Sequence, residues 1–385
     1  MDFSVPEAIS KDVDRFKGFL KEALVPNLSE WYREKVVPRT FFQDMGREGW
    51  FGFSYEKDRL ERQSFVREAL LVEQLAMVSP GVAVAVLAHM DLGLMGLWLF
   101  GSDDLKKRYG ASGALGETLM CVGNTETEAG SDVSGIKTTA AKIDGGWRLN
   151  GTKAYITGGM ANDLAVITAV SDPKASRNRR ISMFLVDIRS EGVRRKPLNK
   201  AVWIPSDLTR VQFRDVFVPD DHLLGERGRG LQQVLALFTN SRVPISALTL
   251  GTAVGAFELA VDHAKKRNIF GKKIVEFQSK AFEVADYYAK IEAARLALLK
   301  AAWARDQGGE FRLESSMAKY LAVIVAREVS TWAADLFGAA SVISDHPIHK
   351  YPMDSWAASL GEGTQDVHKL VIFREIMRKY PPQGA

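Results

Sequence analysis

Apolar residues recur at helical spacing through the first third of the chain. Within residues 16–24 and 70–75 they lie three or four positions apart, which is the spacing of an amphipathic helix. Ser102 is followed by two aspartates and, one turn later, by basic residues, as is typical of a capped helix start. The pattern therefore predicts that residues 1–118 are helical.

The pattern changes to short apolar runs between residues 119 and 224. Strand-like runs occupy 147–151, 164–170, 181–186 and 211–218, and Gly, Asn, Asp and Pro separate them. Residues 171–180 are polar and basic, so they are predicted to form an exposed hairpin loop between two strands. This part of the chain is therefore predicted to be a β domain.

From residue 225 onward the pattern is again helical. Residues 281–305 carry an amphipathic stripe rich in alanine, and residues 316–337 repeat it. An all-α, then all-β, then all-α order predicts an α+β protein built of segregated layers. The predicted domains are residues 1–118, 119–224 and 225–385.

Composition narrows the class of protein. The chain has 385 residues and a formal net charge of +4, which gives no nucleic-acid signal. Cys121 is the single cysteine, so a disulfide framework and a cysteine-ligated metal cluster are excluded. The six histidines show no metal-ligand spacing, and no metal site is predicted. The N-terminus lacks a basic segment followed by an apolar run, which favours a cytoplasmic protein over a secreted one.

Residues 81–100 form an apolar run that is long enough to span a bilayer. Asp91 lies in the middle of the run and glycines interrupt it, and a charged side chain is costly in lipid. The run is therefore predicted to be a buried helix of a soluble core rather than a membrane span. This interpretation makes Asp91 a buried carboxylate.

Two neighbouring runs predict a surface for a flat ligand with polar edges. Thr125 and Ser131 belong to a run of hydroxyls and glycine whose backbone N–H groups suit an anionic or polar heteroaromatic ligand. Tyr155 and Thr157 lie two positions apart in the second run, and hence on the same face of a strand. Either run alone is equally compatible with a solvent-facing turn.

A basic cluster at residues 265–273 is interleaved with Phe270 and is followed by Ile274 and Phe277. Clustered charges usually form a solvated face. Apolar residues between the charges favour a different interpretation, in which a phosphate-bearing ligand lies against a packed surface. Both interpretations stay open on the residues alone.

Glu362 stands between Gly361 and Gly363, where the backbone can approach a ligand closely. Thr364 follows and is predicted to cap the next helix. One interpretation of Glu362 is an exposed glutamate in the loop before that helix. The other is a carboxylate in a dry pocket, where burial would raise its pKa and make it a base toward a weak carbon acid.

The common catalytic signatures are absent from the sequence. It contains no G-x-x-x-x-G-K-[ST] phosphate loop, no H-E-x-x-H zinc motif and no G-x-S-x-G nucleophile elbow. A G-x-G-x-x-G between a strand and a helix is also missing. Kinase, hydrolase and metalloenzyme interpretations are therefore unsupported.

The three sets of residues, in this order, resemble the motifs of the acyl-CoA dehydrogenase family. The runs at 125–132 and 149–159 are similar to its flavin-binding strand region, residues 267–278 to its R-x-x-F-G-K…F-Q motif, and residues 361–364 to its Y-E-G-T motif. The resemblance covers most of the chain. It implies an N-terminal α-helical domain, a middle β-barrel or sandwich domain and a C-terminal four-helix bundle.

The resemblance also implies a cofactor, a base and an assembly. FAD would be the cofactor and an acyl-CoA thioester the substrate, with Glu362 removing the α-proton while a hydride leaves the β-carbon. The electron acceptor would be an electron-transfer flavoprotein, and the protein would be a homotetramer. The implied FAD contacts are Thr125, Ser131, Tyr155, Thr157, Gly338 and Thr364, with Arg267, Phe270 and Gln278 reaching across a subunit interface, and the implied substrate contacts are Ser131, Arg242 and Gly361.

Two departures from the family's pattern bear on the substrate. The sequence His89-Met90-Asp91-Leu92 stands where the family often has H-x-S-L, and Gly361 replaces an aromatic residue of the linear-chain enzymes. Asp91 is interpreted either as a structural partner of His89 or a neighbouring lysine, or as a second base. The second role resembles that of an aspartate in dehydrogenases of alicyclic thioesters such as cyclohexene-carboxyl-CoA. Gly361 would open space beside Glu362.

The leading hypothesis is an FAD-dependent dehydrogenase of a cyclic or short bulky acyl group, such as cyclohexane- or cyclohex-1-ene-1-carboxyl-CoA. The alternatives are a short- or branched-chain acyl-CoA dehydrogenase, and a dehydrogenase of thioesters on an acidic acyl carrier protein, which the pI near 8.9 would suit. An oxidase that passes electrons to oxygen, and a non-catalytic flavoprotein, also stay open.

Overall fold

The N-terminal part of the protein is mainly helical. The computed structural model describes residues 4–380. Its helices in this part are α1 (Glu7–Phe19), α2 (Leu28–Glu34), α3 (Arg39–Arg47), α4 (Phe65–Val78), α5 (Pro80–Leu87), α6 (Met95–Phe100) and α7 (Asp103–Ala114). The Ser102 hydroxyl caps α7 by accepting a hydrogen bond from the backbone N–H of Leu105, as the sequence predicts.

One element of this part departs from the helical pattern. Strands β1 (Phe53–Glu56) and β2 (Arg59–Arg62) form an antiparallel hairpin. Lys57 and Asp58 connect them with φ of 50° and 63°, the left-handed pair that a type I′ turn requires. A hairpin this short leaves little period-2 signal in the sequence. The hairpin places Arg62 at the buried end of β2.

The apolar run 81–100 is one nearly continuous helical rod. A π-helical segment, Ala88–Leu94, joins α5 to α6 and carries Asp91. At Gly93 a Cβ atom would lie 2.3 Å from the Cβ of Met120, so the glycine permits the close approach of this rod to the sheet. π-Helical segments within α-helices often occur at functional sites.

The central part is one sheet of eight strands. Its strands are β3 (Met120–Gly123), β4 (Thr139–Ile143), β5 (Gly146–Thr157), β6 (Leu164–Val170), β7 (Ile181–Asp187), β8 (Val193–Pro197), β9 (Leu208–Pro219) and β10 (Leu223–Leu224). The strand order is β10-β7-β6-β4-β5-β9-β8, and β3 pairs with β6. Val170 pairs with Ile181, which confirms that residues 171–180 form the predicted hairpin loop.

The C-terminal part is a helical bundle. Its elements are α8 (Gly230–Lys266), β11 (Asn268–Ile269), β12 (Lys272–Lys273), α9 (Gln278–Asp306), α10 (Arg312–Phe337), α11 (Lys350–Ala357) and α12 (Gln365–Lys379). Helix α10 packs against α8, α9 and α12, and α8 also packs against α4. The predicted α+β architecture of helical, sheet and helical parts is therefore confirmed.

Among residues 4–380, two helical spans are long and apolar enough to cross a membrane by composition, Pro80–Phe100 and Gly230–Lys266. Within their most apolar stretches, 78% and 83% of the residues are buried inside the protein. This burial is what the core helices of a globular protein show, because other elements cover their apolar surface.

Candidate active site

The turn between α11 and α12 holds Glu362 in an unusual backbone conformation. Glu362 has φ of 52° and Gly363 has φ of 110°. A non-glycine residue in the left-handed region is sterically disfavoured, and such residues cluster at functional sites. The surrounding structure therefore has to hold the turn in place.

Three carbonyl groups of this turn accept hydrogen bonds from three different helices. Lys319 of α10 donates to the carbonyl of Ala358, Arg242 of α8 to that of Glu362 (3.5 Å), and His368 of α12 to that of Gly363 (3.0 Å). Arg242 also donates to the hydroxyl of Ser316 on α10 (3.5 Å). The turn that carries Glu362 is thus tied to three helices of the bundle.

The carboxyl group of Glu362 lies among several charged side chains, and the residue itself is half-buried. Burial raises the pKa of Glu362 to about 7, and the negative charge of Asp91 also raises it. The positive charges of Lys319 and, more weakly, Arg242 lower this pKa. Burial in turn lowers the pKa of Lys319 to about 8 and that of Arg242 to about 10. A carboxyl group with a pKa near neutrality is suited to take up a proton at that pH.

Asp91 belongs to the same electrostatic neighbourhood. Its side chain is buried, and the guanidinium of Arg62 lies 3.6 Å away. The hydrogen bonds of the Arg62 guanidinium go to the carboxylate of Glu68 and to the carbonyl of Gly52, and not to Asp91. Neither oxygen of Asp91 has a hydrogen-bond partner among residues 4–380. Burial raises the pKa of Asp91 to about 7, and Arg62 lowers it.

The predicted pairing of Asp91 with His89 or a lysine is wrong. The Nδ1 atom of His89 accepts a hydrogen bond from the N–H of Met120 (3.1 Å), so its Nε2–H donates to the carbonyl of Gly113 (3.0 Å). Burial lowers the pKa of His89 to about 4, which keeps the ring neutral. The cation beside Asp91 is Arg62. Arg62 is the last residue of the β1–β2 hairpin and lies 29 positions before Asp91 in the chain.

The two runs predicted to meet a flat ring lie side by side. The N–H of Ala154 donates to the carbonyl of Thr125 (2.9 Å), and the buried ammonium of Lys153 donates to the carbonyl of Asn124 (2.9 Å). The pairing of β5 with β9 is irregular at this point, and Tyr155 has φ of 58°. Tyr155 is 56% exposed, and an exposed aromatic residue of this kind is typical of a binding surface.

Ser131 is exposed on the turn after Thr125. The neighbouring Asp132 forms an ion pair with Arg177 of the loop 171–180 (2.7 Å), and Arg177 also donates to the hydroxyl of Ser134 (2.6 Å). The basic loop therefore folds back onto this turn. Thr364 occupies the N-cap position of α12, but its hydroxyl makes no capping hydrogen bond, so the predicted cap is wrong and the hydroxyl is not used by the helix.

Arg267 and Gly338 line a groove on the bundle with a volume of about 1330 Å³. Gly338 has φ of 57° and a Cβ atom there would meet nothing within 4 Å. Phe270 projects from the β11–β12 turn beside the groove and is 94% exposed, with φ of 48°. Gln278 is the first residue of α9. A fully exposed phenylalanine on a strained turn marks a contact surface.

The structure thus gathers the predicted site residues into three groups. Glu362, Arg242 and Asp91 form one electrostatic cluster with Gly361 next to Glu362. Thr125, Tyr155 and Thr157 lie on two adjoining runs of the sheet domain, and Ser131 lies on the turn after Thr125. Arg267 and Gly338 line the groove, and Phe270 and Gln278 lie close in sequence to its lining residues Ile269 and Lys280. The residues present fit FAD, because the groove offers a cation and open space beside Gly338, and the sheet surface offers an exposed aromatic ring with hydroxyls.

Sequence reasoning missed Lys319, His368 and Arg62. Lys319 lies in the apolar stripe of α10 and is 0% exposed. A lysine at a buried helical position is rare unless it is paired. Its place within the apolar stripe therefore indicates a buried partner for Lys319. Arg62 gave no comparable signal, because Glu68 and Asp91 lie on other elements. His368 bonds the turn directly before its own helix, and a single histidine there carries no pattern.

The chain is similar to known proteins over nearly its whole length. The acyl-CoA dehydrogenase N-terminal, middle and C-terminal domains match residues 10–117, 121–216 and 228–377. The short-chain-specific acyl-CoA dehydrogenase of Megasphaera elsdenii is 30% identical over 387 residues, covering 98% of this chain and 100% of that protein.

Solved structures are similar over nearly the whole chain. Butyryl-CoA dehydrogenase from Megasphaera elsdenii has a TM-score of 0.93 at 30% identity, covering 98% of this chain and 100% of that one. A chain in a structure described as the electron transferring flavoprotein of Acidaminococcus fermentans has a TM-score of 0.94 at 31% identity and the same coverage. The FAD complex of PigA has a TM-score of 0.92 at 25% identity, covering 99% and 100%. The chain therefore belongs to the acyl-CoA dehydrogenase family of FAD-dependent oxidoreductases.

Proposed function

We propose that this protein dehydrogenates the CoA thioester of a cyclic or short bulky acyl group, such as cyclohexane- or cyclohex-1-ene-1-carboxyl-CoA. The observation that carries the proposal is the second buried carboxyl group, Asp91, in the electrostatic neighbourhood of Glu362. Asp91 is buried with both oxygens free of hydrogen bonds, which is costly unless a further group meets them, and in this proposal that group is a ring carbon of the substrate that gives up its proton. A linear 1,2-dehydrogenation needs one base, whereas removal of a proton from a more distant ring carbon needs another.

In this proposal Glu362 removes the α-proton of a saturated thioester such as cyclohexane-carboxyl-CoA. The α-carbon of cyclohex-1-ene-1-carboxyl-CoA carries no proton, so with that substrate Asp91 would remove a proton from a more distant ring carbon. The Glu362 pKa of about 7 leaves a substantial ionised fraction at neutral pH while making the protonated product form accessible. The backbone N–H of Glu362 has no hydrogen-bond partner among the described residues and is free to donate to the thioester oxygen. Bound FAD would supply the acceptor for the hydride that leaves the β-carbon.

FAD would be held by residues of two subunits. Thr125, Tyr155 and Thr157 would lie against the ring system, and Arg267 and Gly338 would hold the diphosphate and adenosine side. The two groups of residues belong to different parts of the chain, the sheet and the far end of the bundle. We therefore propose a homotetramer, in which the groove of one protomer completes the site of another, and an electron-transfer flavoprotein as the acceptor.

Replacement of Phe270 by Ser tests this assembly. We expect the variant to retain less FAD after gel filtration and to shift toward smaller oligomers, because it loses the exposed ring beside the groove. The measurements are the absorbance of bound flavin per chain and the mass by light scattering. Phe217, which is 54% exposed on β9, provides the matched control, and Phe217→Ser should change neither readout.

An equal loss in both variants, or unchanged flavin and mass in Phe270→Ser, would contradict a role for the hairpin in the assembly.

Gly361 bears on the shape of the acyl group. A Cβ atom at this position would meet nothing within 4 Å, so open space lies beside Glu362. We expect Gly361→Tyr to lower kcat/KM for cyclohexane-carboxyl-CoA by about tenfold or more, since shape differences within a pocket are worth about 10–200-fold. Butyryl-CoA is the internal control and should lose much less. Equal losses for both thioesters would show that Gly361 does not select for bulk.

A linear short-chain thioester is the second candidate substrate. The similarity to the short-chain-specific enzyme of Megasphaera elsdenii favours it. The discriminating experiment is the anaerobic visible spectrum of the purified flavoprotein before and after addition of butyryl-, cyclohexane-carboxyl- or cyclohex-1-ene-1-carboxyl-CoA. Bleaching by the cyclic thioesters supports the proposal, and bleaching by butyryl-CoA alone overturns it.

A further inference from the structure

We propose that Lys319 is a positioning residue for the base, which keeps Glu362 ionised and fixes the turn that carries it, while His368 fixes the same turn without a charge. This inference rests on the proposed role of Glu362 in removing the α-proton. Both residues lie outside the motifs that the sequence singles out, and neither needs to touch the thioester to act.

The geometry of the turn carries the first part of the inference. Glu362 adopts a left-handed conformation that only the surroundings can hold, and the helices supply donors on both sides of it. Lys319 binds the carbonyl of Ala358, four residues before Glu362, and His368 binds that of Gly363, one residue after it. These two anchors therefore hold the backbone on both sides of Glu362.

The placement of the ammonium carries the second part. Lys319 is 0% exposed, and no carboxylate of the described residues lies within the 4.0 Å of an ion pair with it. Its hydrogen bond goes to the Ala358 carbonyl instead. The positive charge therefore favours the ionised form of Glu362, while its hydrogen bond goes to a backbone carbonyl and not to the carboxylate oxygens that must receive the substrate proton.

The other charges that face Glu362 do not supply the same effect. Asp91 on the π-helical segment is negative when ionised and opposes the ionisation of Glu362, and Arg242 on α8 has a weaker effect than Lys319. His368 on α12 is neutral, because burial lowers its pKa to about 3 with help from Arg242 and Lys319. Arg312 lowers the pKa of Arg242 and forms an ion pair with Glu375 (3.5 Å). Lys319 is therefore the main cation that favours the Glu362 carboxylate.

The experiment is the pH profile of kcat/KM for the FAD-loaded Lys319→Met variant with the better of butyryl- and cyclohexane-carboxyl-CoA, both of which carry an α-proton. Removal of the cation raises the pKa of Glu362, so we expect the acid limb of the profile to move up by about one pH unit or more. Activity at pH 7 should fall about tenfold or more and recover substantially by pH 9. An acid limb that stays in place, with equal loss at every pH, would overturn the inference.

Lys350 provides a matched control. It also donates to a backbone carbonyl, that of Val78 (2.8 Å), and burial lowers its pKa to about 8, but its neighbouring carboxylate is Asp354. Lys350→Met should lower the free energy of unfolding without moving the acid limb. A shift of the limb in this variant as large as in Lys319→Met would also overturn the inference.

A second lysine variant covers the case in which Lys319→Met does not fold. Lys319→Gln retains a donor for the Ala358 carbonyl and lacks the charge, so it should fold and show the same upward shift of the acid limb. An unshifted limb in folded Lys319→Gln would overturn the proposal.

His368 gives the contrasting outcome. His368→Leu removes a neutral donor, so we expect a lower kcat at every pH with the acid limb in place, and we expect His368→Gln to restore part of kcat by donating to Gly363 again. A moved limb, or equal activity of the two variants, would contradict its role as a neutral anchor.

Failure of this inference is distinguishable from failure of the proposed function. Full activity of Glu362→Gln would remove Glu362 as the base, whatever the lysine variants do. If Glu362→Gln is inactive and the acid limb of the kcat/KM profile stays in place in the Lys319 variants, only the proposed role of Lys319 is contradicted.

Discussion

Glu362→Gln is expected to retain bound FAD and to lose oxidation of butyryl- or cyclohexane-carboxyl-CoA about 1000-fold in kcat, because a positioned general base contributes about 10²–10⁴-fold. The amide has nearly the size of the carboxylate but cannot accept the α-proton. The left-handed backbone of the turn is held by carbonyl contacts that the substitution leaves in place. The measurement is the rate of anaerobic flavin bleaching by the thioester.

Asp354→Asn is the control for this result. Asp354 is buried, and burial raises its pKa to about 6 although the N–H of Trp203 and nearby lysines lower it. Its carboxylate accepts the Trp203 N–H (2.6 Å), which an asparagine oxygen also accepts. We expect wild-type bleaching rates in this variant. Full activity of Glu362→Gln, with the flavin spectrum intact, would rule out Glu362 as the base.

Asp91→Asn is expected to separate the substrates. If Asp91 is the second base, oxidation of cyclohex-1-ene-1-carboxyl-CoA should fall about 100-fold or more, while butyryl-CoA or cyclohexane-carboxyl-CoA loses little. Asp91 also raises the pKa of Glu362, so its neutralisation should lower that pKa. The acid limb of kcat/KM for the retained substrate should therefore move to lower pH. The measurement is the pH profile with each thioester.

Glu68→Gln distinguishes catalysis from stability in the same cluster. Glu68 and Asp91 share the guanidinium of Arg62, so both substitutions change the charge balance around it. We expect Glu68→Gln to lower the free energy of unfolding and to slow all thioesters alike, because loss of a buried pair is costly. The same uniform loss in Asp91→Asn, with an unmoved acid limb, would make Asp91 a structural residue.

Much of the fold was predictable because it depends on local patterns. The strands at Leu164–Val170 and Ile181–Asp187 follow apolar runs bounded by turn residues, and α9 and α10 follow helical stripes. The β1–β2 hairpin was not predictable in this way, because four-residue strands show almost no period. That hairpin delivers Arg62, the partner of Asp91, which explains why the partner predicted from neighbouring residues was wrong.

The sequence by itself determined the order of helical and sheet parts, the family and the identity of the residues in its motifs, because these reside in short stretches of chain. Tertiary structure alone decided which of those residues meet. It brought Asp91 and Glu362, 271 positions apart in the sequence, into one electrostatic neighbourhood, and it placed Lys319 and His368 on the carbonyls around Glu362. The pKa values near neutrality arise from burial and from charges on separate helices, which no single stretch of sequence contains.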